Sequence, residues 1–205
     1  MFKTSEILAR LAAHPSGERV SVFEILARIR VRAFGVFLIL FAAPNALPMP
    51  PGFAPVTAIF ILLIAIQLVL GRTALWIPRW LGYESIPTRH LVRVIDWIVP
   101  KLARIERWSK PRAIKLTRLR ARQPIGIIII VLALIMALPI PIIGNTPPAI
   151  AITLMGFGML QRDGYWVVAG AAVALLDIAI IIGLGFGLFH AAIFFIPMGW
   201  WPFWD

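Results

Sequence analysis

Two stretches of the chain, Ala33 to Gly71 and Gln123 to Gln161, each run for 39 residues without a charged side chain. Each stretch is broken near its middle by a cluster of prolines, and each is flanked by arginine on both sides. A water-soluble domain of 205 residues cannot bury two such blocks, whereas a bilayer can. The composition, 60% hydrophobic and 14% charged, agrees with this. The sequence therefore predicts an all-α integral membrane protein.

The chain is predicted to form a single membrane domain with five parts. In the basic part, apolar residues between Leu91 and Trp108 recur at helical spacing opposite Lys and Arg, which predicts an amphipathic helix lying in the membrane interface. A helix that packs on a partner protein is the alternative. The five parts are a cytosolic or interfacial helix at 1–32, hairpin one at 33–71, a basic amphipathic linker at 72–122, hairpin two at 123–161 and a C-terminal membrane segment at 164–205.

The distribution of positive charge predicts the topology. The linker holds 13 of the 20 Lys and Arg residues, and the net charge is +11. Basic segments next to membrane spans stay on the cytoplasmic side, so the N-terminus and the linker are both predicted to be cytoplasmic. We expect the linker to bind anionic lipid headgroups rather than nucleic acid, because its charges lie beside apolar spans. The side of the C-terminus and the oligomeric state, a homo-oligomer included, stay open.

The two hairpins are predicted to be copies of one another. At an offset of 91 residues, Gly35 matches Gly126, and Leu-Pro-x-Pro at 47–50 matches Leu-Pro-x-Pro at 138–141. At an offset of 90, Arg72 matches Arg162. Paired apolar segments interrupted by Gly and Pro point to a binding site near the bilayer midplane. Two questions stay open. The prolines could instead make only tight turns between ordinary helices, and the hairpins could either span the bilayer or re-enter it.

Eight residues are the candidate substrate-binding set. An amide beside a broken helix can hold an oxyanion or an exposed carbonyl, and a guanidinium can grip a phosphate through two hydrogen bonds. The competing interpretation of the arginines is that they anchor the topology at the interface. The eight are Asn45, Pro48, Pro50, Arg72, Pro139, Pro141, Asn145 and Arg162.

Asp177 is the candidate for proton or ion coupling. It lies 13 residues into the last apolar segment, where an acid costs roughly 2.5–3.5 kcal/mol unless it is paired or protonated. A purely structural pairing with an arginine is the alternative. His190, further along the same segment, is interpreted as an interior or interface residue rather than a metal ligand.

No motif in the chain favours an enzyme. The sequence has no glycine-rich phosphate loop, no paired carboxylates and no cysteine, and its three histidines lack metal-ligand spacing. We therefore expect no catalytic activity, no metal centre of His or Cys ligands and no cofactor.

Several segments carry a family resemblance. Together they resemble the exopolysaccharide synthesis ExoD family from about residue 20 to residue 190. The resemblance implies a multi-pass protein of the bacterial inner membrane, and it names a pathway rather than a mechanism. The segments are Arg-Ala-Phe-Gly at 32–35, the proline cluster at 44–52, Gln67 to Arg72, Trp76 to Trp80, Leu-Pro-Ile-Pro at 138–141, Gly-Asn-Thr-Pro at 144–147 and Gln-Arg-Asp-Gly at 161–164.

Two functions are compatible with these observations. The leading hypothesis is a transporter or flippase-like protein that handles a lipid-linked saccharide, a polyprenyl phosphate or another anionic precursor during exopolysaccharide export. The alternative is a non-transporting scaffold or regulator that recruits polysaccharide enzymes through its basic surface. Polar residues that line a cavity open to one leaflet would favour transport, whereas prolines packed without water and charges all at the surface would favour the scaffold.

Overall fold

Helices make up nearly all of the part of the chain that the computed structural model describes, which is residues 19–21, 32–47, 50, 52–77, 85–87, 92, 119–138 and 145–195. The helices are α1 (Arg32–Ala42), α2 (Phe53–Val69), α3 (Leu119–Ala137), α4 (Thr146–Gln161) and α5 (Gly164–Phe195). A 3₁₀ turn, Ala43–Ala46, continues α1. Within these residues the all-α prediction is confirmed, with one small addition.

The addition is a ribbon of two short antiparallel strands. Strand β1 (Arg19–Ser21) pairs with β2 (Ser85–Pro87), and Val20 lies opposite Ile86. The ribbon joins the segment before α1 to the linker after α2. Because each strand has only three residues, neither shows the alternation over four or more residues by which a strand is recognised in a sequence.

Proline and glycine set the helix boundaries. Pro44 stands in the first turn of the 3₁₀ segment, where its missing N–H is not needed, and the α-helical pattern ends there. Helix α2 begins after Gly52, whose φ of 91° is open to glycine at no steric cost. Helix α4 begins with prolines at 147 and 148, which suit the first turn of a helix.

Each first helix of a hairpin packs against the second helix of the other hairpin: α1 packs on α4, and α3 packs on α2. Glycines allow the close approach. A Cβ added at Gly35 would stand 2.5 Å from the Gly156 carbonyl oxygen, and one added at Gly126 would stand 3.0 Å from the Ala65 carbonyl oxygen. Gly126 and Gly156 each lie 91 residues after Gly35 and Ala65, respectively. Small residues at such crossings are typical of helices that associate within a membrane.

Helices α2 and α4 end in the same way. Gly71 has φ 68° and Arg162 has φ 55°, both in the left-handed region. In α2 the N–H of Arg72 donates to the Gln67 carbonyl at 3.1 Å, and in α4 the N–H of Asp163 donates to the Gly158 carbonyl at 2.9 Å. Both are the hydrogen bond that closes a Schellman-type helix end. By this geometry residue 71 corresponds to residue 162, one position away from the match of arginines that the sequence suggested.

Helix α5 is the candidate membrane span within the described residues. Over Gly164–Ala191 it is long and apolar enough to cross a bilayer, and only 22% of an apolar 18-residue window within it is buried. The core helix of a soluble protein would be mostly buried. Large apolar side chains of its distal half are exposed, among them Leu184 at 62% and Phe189 at 62%. Three shorter apolar helices, Arg32–Ala46, Phe53–Val69 and Arg122–Ala137, accompany it.

Several predicted features lie outside the described residues. They are the helix predicted at 1–32 apart from residues 19–21 and 32, the amphipathic helix between Leu91 and Trp108 apart from Val92, the three prolines Pro48, Pro139 and Pro141, and the C-terminal membrane segment from residue 196 onward.

Candidate functional site

Polar side chains gather at the two opposite ends of the helix bundle. Because α1 runs antiparallel to α4 and α3 antiparallel to α2, the first residues of α1 and α3 lie beside the last residues of α2 and α4. We call this the basal end and define it by Arg32, Arg72, Arg122, Arg162 and Asp163. We call the other end the tip end and define it by the 3₁₀ turn, the first turns of α2 and α4, and the last turn of α3.

Arginines dominate the basal end. Arg32 and Arg122 are each only 8% exposed, which is rare for a guanidinium. Arg162 is half-buried and Arg72 is exposed. The positive charge of Arg162 is close enough to Arg122 for electrostatic repulsion between the two guanidinium groups. Arg32 and Arg122 both have interaction partners. The basal end therefore holds a concentration of positive charge that is partly shielded from solvent.

Asp163 has a structural role at this end. Its Oδ1 accepts a hydrogen bond of 3.1 Å from the N–H of Tyr165, so Asp163 caps the N-terminus of α5. A carboxylate there also complements the positive end of the helix dipole. Next to it, Nε2 of Gln161 is a buried donor with no acceptor within the described residues. Donors are thus in surplus at the basal end.

The tip end of hairpin one is built around Asn45, which is 3% exposed. Its Nδ2 donates to the Phe41 carbonyl at 2.7 Å and to Thr57 Oγ1 at 2.9 Å, which ties the end of α1 to the first turn of α2. Because a carbonyl only accepts, the atom facing Phe41 must be the nitrogen of the amide. The opposite atom, Asn45 Oδ1, is buried and has no hydrogen-bond partner in the described part of the chain.

Two more buried oxygens without a donor belong to the tip end. Asn145 precedes α4 but makes no side-chain cap hydrogen bond, and its Oδ1 is buried without a partner. Asp177 in α5 is 3% exposed, and its Oδ2 has no partner either among the residues described.

The packing of α4 on α5 shows where Asp177 lies along the length of the bundle. A Cβ added at Gly158 would meet Val167, and one added at Gly170 would meet Ala151 and Met155, so the two helices run antiparallel. Asp177 lies seven residues beyond Gly170, or roughly 10 Å at about 1.5 Å per residue. That distance brings it level with the first turn of α4.

The candidate substrate-binding residues predicted from the sequence fall into two groups. Arg72 and Arg162 lie at the basal end, whereas Asn45 and Asn145 lie at the tip end, where the separate coupling candidate Asp177 also lies. The 17 residues of α2 separate the groups by roughly 26 Å. Pro50 is exposed at the tip end, and its carbonyl accepts the Phe53 N–H at 3.2 Å. Pro48, Pro139 and Pro141 are not among the described residues.

His190 lies apart from both ends, exposed on the distal half of α5. Its Nδ1 is 2.9 Å from the Phe186 carbonyl, as in a bond within one helix. An open apolar groove of about 300 Å³ runs beside it, lined by Ile182, Gly185, Phe186 and Phe189. Within the part of the chain that the structure describes, no three His, Cys, Asp or Glu residues come together as metal ligands.

Sequence reasoning missed Thr57 and the buried state of Arg32 and Arg122. Thr57 is 6% exposed, and its hydroxyl also lies 3.0 Å from the Ala54 carbonyl. A lone hydroxyl two residues after Pro55, in a helix whose other polar side chain is Gln67, was the available signal. Arg32 and Arg122 were recognised as boundaries of the apolar stretches, but no sequence pattern distinguishes a buried boundary arginine from an exposed one.

Comparisons with known proteins agree with the resemblance noted above. The chain matches the family described as exopolysaccharide synthesis, ExoD, over residues 4–183. It is 31% identical over 184 residues to the uncharacterized protein slr1875 of Synechocystis sp., covering 89% of this chain and 86% of that one. It is 27% identical over 191 residues to Protein ExoD of Rhizobium meliloti, covering 91% of this chain and 79% of that one. No solved structure matches. The chain therefore belongs to the ExoD family of exopolysaccharide synthesis proteins.

Proposed function

We propose that this protein binds a phosphate-bearing precursor of exopolysaccharide at its basal end and moves it across the bacterial inner membrane, as a flippase-like transporter. The observation that carries the proposal is the set of four arginines at one end of the bundle, two of them buried. Guanidinium groups bind phosphate through paired, charge-assisted hydrogen bonds, and they stay charged in surroundings that exclude water. A polyprenyl phosphate or a lipid-linked saccharide has the required charge.

The backbone of Arg162 supports a role beyond anchoring. It is the one residue other than glycine with positive φ in the described part of the chain, and Gly71 occupies the corresponding helix end in hairpin one. A side chain in this conformation is disfavoured, so glycine would suit the fold better at position 162. Locally unfavourable choices of this kind concentrate at functional sites.

The packing supports a duplicated architecture with re-entrant hairpins. The glycine contacts of α1 on α4 and of α3 on α2 are reciprocal and keep one offset of 91 residues. Helix α4 has 16 residues, roughly 24 Å of helix, which is less than the hydrocarbon core of about 30 Å. Asp177 and the tip end would then lie within the bilayer, as in transporters built from broken helices.

The proposal places the basal end at the cytoplasmic face, where precursors are made. The positive-inside rule and the basic linker support this orientation. Single cysteines introduced by Ser109→Cys and Thr117→Cys are expected to react only with membrane-permeant reagents in intact cells, since the chain has no cysteine of its own. Labelling by an impermeant reagent from the periplasm would contradict the orientation.

The proposed role is binding and movement rather than catalysis. Expected partners are the precursor, anionic lipid headgroups at the linker and, as an open alternative, a second copy of the chain. The buried state of Arg32, Arg122 and Asp177 supports transport over the scaffold hypothesis, because a scaffold needs its charges at the surface.

The test uses the full-length protein in nanodiscs. A polyprenyl phosphate is expected to bind more tightly than the polyprenol of equal chain length. The double change Arg72→Lys with Arg162→Lys keeps both charges, so it keeps the topology signal but loses the two-pronged phosphate grip. We expect it to weaken phosphate binding about tenfold, which corresponds to about 1.4 kcal/mol.

The matched control is Arg112→Lys with Arg118→Lys in the linker, which changes the same residue type in equal number and should leave binding unchanged. In proteoliposomes, the variant at positions 72 and 162 should slow the translocation of a labelled phosphate lipid. Equal affinity for phosphate and alcohol, together with normal exopolysaccharide output from this variant, would support the scaffold instead.

A further inference from the structure

Three buried oxygen atoms at the tip end lack a hydrogen-bond donor within the described residues. They are Asn45 Oδ1, Asn145 Oδ1 and Asp177 Oδ2. Each comes from a different segment that packs around the first turn of α4: the 3₁₀ turn, the residue before α4, and α5. Buried acceptors are nearly always satisfied in native proteins, so three of them at one level of the bundle indicate a missing ligand.

The backbone at the tip end is also poor in donors. Helix α4 has prolines at 147 and 148, so its first turn offers fewer N–H groups than an ordinary helix N-terminus. Helix α2 has Pro55 at the corresponding place. Anions bind helix N-termini through those N–H groups, so an anion is a poor fit here.

Two helix C-termini add further acceptors. The 3₁₀ turn and α3 both end at the tip end, where the negative ends of the helix dipoles lie. Among the described residues, one backbone bond is made just after each end, from Leu47 N–H to the Pro44 carbonyl and from Leu138 N–H to the Ile135 carbonyl. Carbonyls of interrupted membrane helices coordinate cations in several transporters.

The number and type of oxygens distinguish a cation from a proton. A proton on Asp177 would supply one donor and would leave the amide oxygens of Asn45 and Asn145 unsatisfied. A metal cation is attracted to all three oxygens. One carboxylate balances one positive charge, whereas Ca²⁺ sites use more oxygen ligands and commonly several carboxylates.

We propose that the tip end binds a monovalent alkali cation, with Na⁺ as the first candidate, through the side-chain oxygens of Asn45, Asn145 and Asp177. The ligands come from both hairpins and from α5, so the cation holds the three parts together. Binding of the cation does not depend on the proposed function. Only its role as the coupling ion of transport depends on that function.

The test measures the melting temperature Tm of the purified full-length protein in detergent at constant ionic strength. A ligand that binds only the folded state at 100 times its Kd should raise Tm by roughly 5 to 10 °C for a chain of this size. We expect that shift with NaCl against choline chloride, and its loss in Asp177→Asn. The control is Thr153→Val in α4, the helix that packs on α5, because within the described residues the hydroxyl of Thr153 bonds only to the Ala149 carbonyl of its own helix at 2.7 Å.

A gain-of-function variant keeps the test decisive if Asp177→Asn fails to fold. Asn145→Asp adds a second carboxylate, so this variant should respond to CaCl₂ at concentrations at which the wild type does not. Binding of ²²Na⁺ to the wild type, displaced by unlabelled NaCl but not by choline, provides a direct measurement. The proposal is overturned if wild-type Tm depends on pH but not on Na⁺, or if ²²Na⁺ does not bind.

Discussion

The basal end and the tip end are made from the same helices, yet their polar groups have opposite character. The basal end is rich in hydrogen-bond donors, with four arginines and, among the described residues, the unpartnered Nε2 of Gln161. At the tip end acceptors are in surplus, and prolines remove backbone donors. The contrast shows that one bundle can present two chemically different environments. Every hairpin helix has one terminus at each end, so the residues at its two termini can differ in chemistry.

Helices α1 and α4 approach closely toward the basal end, and a change at Gly35 is expected to have the largest effect. Gly35→Ala places a Cβ 2.5 Å from the Gly156 carbonyl oxygen and 2.8 Å from the Leu160 nitrogen. Both are backbone atoms, so α1 and α4 must move apart. We expect a loss of about 3 kcal/mol in the free energy of unfolding, measured by denaturant titration in detergent.

The matched control for Gly35 is Gly183→Ala. Nothing lies within 4 Å of a Cβ at that position, so the helix propensity of alanine should make the change neutral or stabilising by up to about 1 kcal/mol. Equal stability of the two variants would mean that α1 and α4 are not in close contact, and the assignment of a tightly packed basal end would be wrong.

At the tip end the corresponding change is Asn45→Ala. It removes the bonds to the Phe41 carbonyl and to Thr57 Oγ1. It also removes the unsatisfied Oδ1, so the net loss should be smaller, about 1 to 2 kcal/mol without Na⁺. Thr153→Val, which removes a single bond within one helix, should cost less than half as much. A larger effect of Thr153→Val would show that the link from α1 to α2 does not stabilise the tip end.

The smallest expected effect has the opposite sign. Arg162→Gly relieves a left-handed conformation and should raise the free energy of unfolding by about 1 kcal/mol, while it weakens phosphate-lipid binding. Stability and binding then move in opposite directions in one variant, which a topology anchor cannot explain. If Arg162→Gly is less stable and binds normally, the basal arginines are structural.

Much of the helix layout could be predicted from the sequence. The charge-free stretches are flanked by Arg32, Arg72, Arg122 and Arg162, and all four lie at one end of the bundle. The prolines at 44, 147 and 148 stand at helix boundaries. These features depend on local chemistry, the apolar run and the missing N–H, which a single sequence displays directly.

What the sequence could not give is the pairing between distant segments. The bond from Asn45 to Thr57, the ribbon at 19–21 and 85–87, and the packing of α1 on α4 all depend on contacts that no local pattern encodes. For the same reason Arg72 and Asn45 were assigned to one site, although a whole helix separates them. In the sequence, Arg72 and Arg162 match at an offset of 90. In the structure, the left-handed residues that end the two helices, Gly71 and Arg162, correspond at an offset of 91, because the backbone of the helix ends is repeated and the position of the arginine is not.

The reciprocal packing of the hairpins has a consequence for biogenesis. Hairpin one leaves the ribosome first, but the flat face at Gly35 and the face at Ala65 close only against helices of hairpin two. In the proposed architecture neither hairpin completes its own interior, so we expect the first to wait in the lipid until the second is synthesised. Assembly would then resemble that of a dimer of two half-proteins more than that of a single domain, and cutting the chain within the linker should leave two fragments able to find each other in the membrane.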